Sequence, residues 1–160
     1  MVDYLEGILV PIVMGSDSDL FWAEKIKEAL DAYKIKSQYR IASAHRSPDH
    51  VLKIIGEYNS SVDKILIVSI AGGTDALSGM LAVQSKWPVV SCPPEESALY
   101  ESCLKNPPGT SNAVIPRPEN VARFAAQYFG GYKEELHTIV LEQIKEKEEK
   151  IISADRGISD

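Results

Sequence analysis

Apolar positions along this chain switch repeatedly between a strand-like run and a helical spacing. Ile8–Met14 is a continuous apolar run that reads as a first strand. Pro11 inside it offers no ladder N–H, so the strand is expected either to start there or to keep its first half at an edge. Gly15-Ser16-Asp17-Ser18-Asp19 turns into a helix on which Ala23, Ile26, Ala29, Leu30 and Tyr33 recur at helical spacing. Ser37–Ile41 is a short second strand. It runs into Ser43-Ala44-His45-Arg46 and then Ser47-Pro48, a cap residue with proline at the first helical position. The helix that follows reaches about Tyr58 and is expected to bury Val51, Leu52, Ile54, Ile55 and Tyr58.

Residues 64–71 are nearly all apolar, as suits a central strand covered on both faces, and they end in Gly72-Gly73-Thr74-Asp75. A short helix over 77–85, a strand over 88–91, the stop Pro93-Pro94, an irregular or helical stretch and a fifth strand over 112–115 come next. Pro118 opens a helix to Phe129. Beyond Gly130-Gly131, the residues Leu136, Ile139, Val140 and Ile144 form a narrow stripe on a last helix that dissolves into a run of Glu and Lys.

Strands alternating with helices predict an α/β domain with a parallel sheet and covering helices. The expected organisation is a single domain over 1–160, with a core at about 8–130, a helical extension at about 132–152 and a frayed tail over 153–160. So thin a stripe on the last helix would bury more surface against a neighbouring subunit than against its own body, which points to oligomerisation.

Length is sufficient for this plan: at 160 residues a domain buries roughly 68–70% of its unfolded surface and needs no disulfide or metal staple. No apolar run approaches the roughly 20 residues of a spanning helix, and the acidic start lacks the marks of a secretory leader, so a cytoplasmic location is expected. With 17 Lys+Arg against 23 Asp+Glu, the net charge of −6 repels polyanions and argues against a nucleic-acid partner. Cys92 and Cys103 have no CxxC spacing, and His45, His50 and His137 form no HExxH, so two free thiols and no metal site are expected.

In an open parallel sheet, ligands bind beyond the carboxyl ends of the strands, and three polar loops end three strands there. In the first, Gly15 opens a turn in which Ser16 and Ser18 can donate to an anion at a helix N-terminus. Asp17 and Asp19 would repel such an anion, so each reads either as a grip on a sugar diol or as a helix cap. In the second, Arg46 beside Ser43 reads as a phosphate clamp or as a solvated cation. His45 next to it is either structural or a group able to take and return a proton near neutral pH. His50 and His137 stand on helix patterns without a polar cluster and receive no role. In the third, Gly72-Gly73 permits close backbone approach to a ligand and Thr74 adds a hydroxyl, although a plain tight turn would look the same. Read from the residues alone, the chain holds a phosphorylated, sugar-bearing small molecule near one histidine. The reaction is not fixed at that level.

Together, Met14-Gly15-Ser16-Asp17-Ser18-Asp19, Ser43-Ala44-His45-Arg46-Ser47-Pro48 and Ala71-Gly72-Gly73-Thr74-Asp75-Ala76-Leu77-Ser78-Gly79 resemble the phosphoribosylaminoimidazole carboxylase family of purine biosynthesis over about residues 8–130. The resemblance implies a flavodoxin-like three-layer α/β/α domain of about five strands, a homo-octamer with sites near subunit contacts, and a C-terminal helix that reaches a neighbour. It also divides into two branches. The mutase branch reads Ala-Gly-Gly-Ala-Ala-His-Leu-Pro-Gly in the third loop, where this chain has Ala76 for the histidine and Ser78 for the proline. The direct carboxylase branch reads Ala-Gly-Arg-Ser-Asn-Ala-Leu-Ser-Gly and Ser-Ala-His-Lys, followed by Cys-Pro-Pro. This chain shares Ala76-Leu77-Ser78-Gly79 and Cys92-Pro93-Pro94 but has Gly73, Thr74, Asp75 and Arg46 where that branch differs.

The longer matches favour the direct carboxylase. The resemblance then implies carbon dioxide added to aminoimidazole ribonucleotide without any cofactor, with His45 as the proton-transfer group. It also implies Ser16, Ser43 and Arg46 on the phosphate, Asp19 on the ribose, and Gly72, Gly73 and Thr74 around the base and carboxylate. The alternatives are the mutase reaction and, from another class, a non-catalytic nucleotide-binding protein.

Overall fold

In a computed structural model, which describes residues 2–94 and 100–159, the chain folds as a parallel sheet covered by helices on both faces. The strands are β1 (Ile8–Met14), β2 (Ser37–Ile41), β3 (Lys64–Ile65), β4 (Ile67–Ile70), β5 (Val89–Ser91) and β6 (Ala113–Val114). The helices are α1 (Leu20–Asp31), α2 (Pro48–Asn59), α3 (Leu77–Gln84), α4 (Pro118–Gly130) and α5 (Glu134–Ser159). The sheet order is β2-β1-β4-β5-β6, with β3 also paired to β1. Because β3 and β4 flank the single residue Leu66 and share one register on β1, they are one interrupted strand. The order is therefore that of a flavodoxin-like fold, with a switch point between β1 and its neighbour β4.

Both expectations for Pro11 are corrected here. The strand begins at Ile8, and its first half is not at an edge, because Ile8 and Leu9 pair with β3. The Val10 N–H donates to Lys36 on the β2 side, and the Gly15 N–H donates to Ile70 on the β4 side. Alternation along the strand then aims the missing Pro11 donor at the Leu66 carbonyl, the residue where the partner strand breaks. One absent hydrogen bond is tolerated by interrupting the ladder on that side only.

The pleat sends alternate residues to two cores. Ile8, Val10, Ile12 and Met14 face α1, α4 and α5, where Trp22, Ile26, Leu30, Phe129 and Leu136 are buried. Val13, Ile65 and Ile67 face α2 and α3, against Val51, Ile54, Ile55 and Leu81. Leu52, expected inside, is 44% exposed, since Val51, Ile54, Ile55 and Tyr58 already form the buried stripe of α2. Trp22 joins the core and donates its indole N–H to the Cys92 carbonyl at 3.0 Å.

The helix α5 runs through Ser159, past the boundary at about residue 152 expected for the helical extension. Its first turns bury Leu136 and Val140, whereas Leu141, Ile144, Ile151, Ile152 and Ile158 lie exposed. The stretch expected to be irregular or helical after Pro94 lies partly outside the described residues, and its visible end is a 3-10 turn at Tyr100–Cys103. Among the described residues no helix is long and apolar enough to cross a membrane.

Candidate active site

Adjacent parallel strands bring their carboxyl ends to one edge, so the loops after β2, β1 and β4 meet there. They enclose a cleft of about 540 Å³ lined by Gly15, Ser16, Ser18, Asp19, Ser43, His45, Arg46, Ala71, Gly72, Gly73 and Thr74. All ten residues singled out from the sequence line this one cleft. Ala71 is the addition.

The first loop closes on Ser16. Its hydroxyl accepts from the Ser18 N–H at 3.3 Å and from the Ser18 hydroxyl at 3.0 Å, capping a 3-10 turn at Asp17–Asp19. It donates in turn to Asp17 at 3.1 Å, which leaves Asp17 exposed and outside the cleft lining. Asp19 occupies the N-cap position of α1 but makes no side-chain capping bond, so the capping alternative does not describe it. Its side chain is buried, at 7% exposure, against the cleft. Burial is the main cause that pushes its carboxyl above the ordinary value, with the nearby Asp17 charge adding and a hydrogen bond from the Ser16 backbone opposing. A Cβ at Gly72 would lie 3.3 Å from Asp19 Oδ1, so the missing side chain there is what lets the third loop approach the first.

The second loop is a closed unit. Ser43 N–H donates to the Ser47 hydroxyl at 3.0 Å, the Ser47 N–H donates to the Ser43 carbonyl at 2.9 Å, and the Arg46 N–H donates to the Ser43 hydroxyl at 3.2 Å. Ser47 stands at the N-cap of α2 ahead of Pro48, as its pattern predicts, yet its hydroxyl makes no cap bond and ties back to Ser43 instead. His45 and Arg46 thus stand exposed on a pre-formed loop, and Arg46 takes part in none of the salt bridges among the described residues.

The third loop presents Gly72, Gly73 and Thr74, all exposed, and then Asp75, which is buried at 6% exposure. Asp75 lies behind the cleft, not in it. His50 is exposed on α2, and His137 lies against Gly130, on the far side of the sheet from α2. Cys92 and Cys103 are buried and are not joined in a disulfide, and burial pushes the Cys92 thiol up to about 12. Among the described residues no group of three His, Cys, Asp or Glu side chains is placed to hold a metal ion.

The cleft at the switch point of this flavodoxin-like sheet is lined by serines with one guanidinium, one imidazole and one carboxylate, groups whose chemistry suits a phosphate and a sugar diol. The family model described as AIR carboxylase matches residues 9–150. The chain belongs to the AIR carboxylase family. A phosphoribosylaminoimidazole carboxylase of Treponema denticola is 36% identical over 152 residues, which cover 92% of this chain and 95% of that one. The crystal structure of Treponema denticola PurE superposes with a TM-score of 0.90 at 35% identity, covering 95% of this chain and 99% of that one. A protein of Methanobrevibacter smithii named as a probable N5-carboxyaminoimidazole ribonucleotide mutase is 34% identical over 155 residues, 93% of this chain and 45% of that one. The chain is accordingly an enzyme of purine biosynthesis from this family.

Proposed function

We propose that this AIR carboxylase family member adds carbon dioxide to aminoimidazole ribonucleotide to give the 4-carboxylated nucleotide. The observation that carries the reading is that His45, the single imidazole of the cleft, shares its lining with Ser16, Ser43, Arg46, Asp19 and the Gly72-Gly73-Thr74 arm. The amino-substituted imidazole is an enamine-like nucleophile. Its ring carbon forms the new bond to carbon dioxide, one C=O π bond opens to the carboxylate, and the displaced ring proton passes to the His45 imidazole. Carbon dioxide is small and neutral and contributes little binding energy. Acceleration must come largely from orientation, with Ser16, Ser43 and Arg46 on the phosphate, Asp19 on the ribose hydroxyls, and Gly72, Gly73 and Thr74 around the base and the developing carboxylate.

Ala76, Leu77, Ser78 and Gly79 match the direct carboxylase pattern, and the Treponema denticola relative is named a phosphoribosylaminoimidazole carboxylase. The mutase reading draws on Gly73 and Arg46, which match the other branch, and on the Methanobrevibacter smithii relative. An assay of the purified protein with aminoimidazole ribonucleotide and bicarbonate or carbon dioxide, against the N-carboxylated nucleotide, decides between them. Turnover of the first alone is expected; turnover of the second alone overturns the carboxylase reading, and turnover of neither favours a non-catalytic nucleotide binder. Copies of the chain, eight by the family resemblance, are proposed to cover the exposed Leu141, Ile144 and Ile151 of α5, and a monomeric mass in light scattering would refute this.

A further inference from the structure

We propose that Asp75 is a positioning residue, which fixes the Gly72-Gly73-Thr74 arm of the cleft and so sets where that arm's backbone meets the substrate. The inference rests on the reading of the cleft as the reaction site. Asp75 follows Thr74 directly and is tied to three separate parts of the fold. Its Oδ1 accepts from the Ser78 N–H of α3 at 2.8 Å, and its Oδ2 accepts from the Ser91 hydroxyl of β5 at 3.1 Å. Its own N–H donates to the Ser102 hydroxyl at 2.8 Å. A further layer braces Ser91, because Asn112 donates to its hydroxyl at 3.0 Å and to the Cys103 carbonyl at 3.3 Å. Asn106 completes it by donating to Asn112, and it comes within 2.8 Å of where a Cβ on Gly79 would be.

Helix capping alone does not account for this choice of residue. The N-cap of α3 is Ala76, without a side-chain cap, and a serine or threonine hydroxyl could supply one bond to the helix without burying a charge. Asp75 is buried and belongs to none of the salt bridges among the described residues. What the forked head of Asp75 adds is two polar atoms, enough to join α3 and β5 at the same moment. The hydroxyls of Ser78 and of Ser69, the register partner of Ser91, are buried without hydrogen-bond partners. Polar groups beneath the arm are therefore partly unpaired, and the Asp75 side chain ties two of them, the Ser78 N–H and the Ser91 hydroxyl, into one network. Gly72 and Gly73 give the arm no side chains to brace itself, and its end is closed, among the described residues, only by the Ala76 N–H donating to the Thr74 carbonyl at 3.1 Å, so Asp75 between them is what carries the restraint to the rest of the fold.

The test compares steady-state carboxylation and thermal unfolding of the full-length protein with those of Asp75→Asn, Asp75→Ala, Ser91→Ala and a remote core control, Val140→Ala. Asparagine keeps an acceptor for the Ser78 N–H and can donate to Ser91, so Asp75→Asn is expected to stay within about threefold of wild type in kcat/KM. Asp75→Ala is expected to lose tenfold or more, and Ser91→Ala about threefold or more. Val140→Ala should lower Tm while leaving kcat/KM unchanged. A loss for Asp75→Asn equal to that for Asp75→Ala, or kcat/KM within twofold of wild type for both Asp75→Ala and Ser91→Ala, overturns the positioning role. Should Asp75→Ala not fold, Asp75→Asn and Ser91→Ala still decide. A wild-type protein inactive on both nucleotides would instead defeat the functional reading, and the inference with it.

Discussion

The loop after β2 is closed by its own residues, with four hydrogen bonds linking Ser43 to Ser47 or Arg46, whereas the loop after β4 is held from outside, through Asp75, by Ser78, Ser91 and Ser102. The self-closed loop carries the long polar side chains, His45 and Arg46. The externally held one carries glycines and offers mainly backbone. A short loop that supplies side chains can be rigid on its own account, because its hydroxyls reach back over four residues. A glycine arm has nothing to fold back on, and its geometry becomes a property of the surrounding fold. Substitutions in the second loop should therefore act locally, while the third should respond to changes made far from the cleft.

The sharpest test of the second loop is His45→Asn. If the imidazole accepts the displaced proton, turnover should fall by roughly 10²–10⁴-fold while the nucleotide still binds, because asparagine keeps the polarity but has no proton affinity in this range. Rapid-mixing kinetics with a parallel calorimetric titration reads both quantities. Retained carboxylation would move the proton-transfer role elsewhere in the cleft.

Arg46→Ala comes next. A charge-assisted hydrogen bond contributes about 1.5–3 kcal/mol, so nucleotide affinity should drop by about that much. The same loss should be absent for a nucleoside without its phosphate. Equal weakening of phosphorylated and unphosphorylated ligands would remove Arg46 as the phosphate clamp.

Ser47→Ala probes the self-closure itself. It deletes the acceptor of the Ser43 N–H and a donor to the Ser43 carbonyl, with an expected cost of about 0.5–1.5 kcal/mol. For a domain of this size, each kcal/mol corresponds to a fall of about 2–4 °C in Tm. If the loop is autonomous, amide exchange should accelerate over 43–47 and stay unchanged over 72–75. Acceleration in both would show that the two loops are one mechanical unit.

The contrast also explains what could be read from the sequence. Periodicity placed the strands and helices because burial on alternate faces imposes it, and the parallel order then brought His45, Arg46, Ser16, Asp19 and Gly72 to one edge. Ser43 and Ser47, four residues apart ahead of Pro48, carried a local signal for their mutual bonds that a capping reading of Ser47 obscured. Asp75 carries a local signal only for its bond from the Ser78 N–H three residues on; its other partners, Ser91 and Ser102, lie 16 and 27 residues away, and long-range polar pairing leaves no period. Pro11 misled for a related reason: its compatibility with a central strand depends on Leu66, in a different strand. The length of α5 escaped because propensity alone, with no apolar stripe packed on this chain, marks its last turns.

The smallest expected effect, and the one that most directly joins the first loop to the third, concerns Asp19. Burial raises its folded carboxyl above the ordinary value, so ionising it is harder in the folded protein than in the unfolded chain. Stability from this group is then fully present below the ordinary carboxyl value and is lost as pH rises through the raised one. Asp19→Asn removes the charge but keeps the shape beside Gly72, and should raise Tm at neutral pH. That gain should shrink as pH is lowered through the raised value and vanish below the ordinary one. If the carboxylate grips the ribose hydroxyls, the same variant should bind nucleotide more weakly, so stability and affinity move in opposite directions. Urea titrations between pH 3 and 7, set beside nucleotide binding at pH 7, read the two signs. A variant less stable at neutral pH would mean that the carboxylate's hydrogen bonding to the Ser16 backbone outweighs its desolvation.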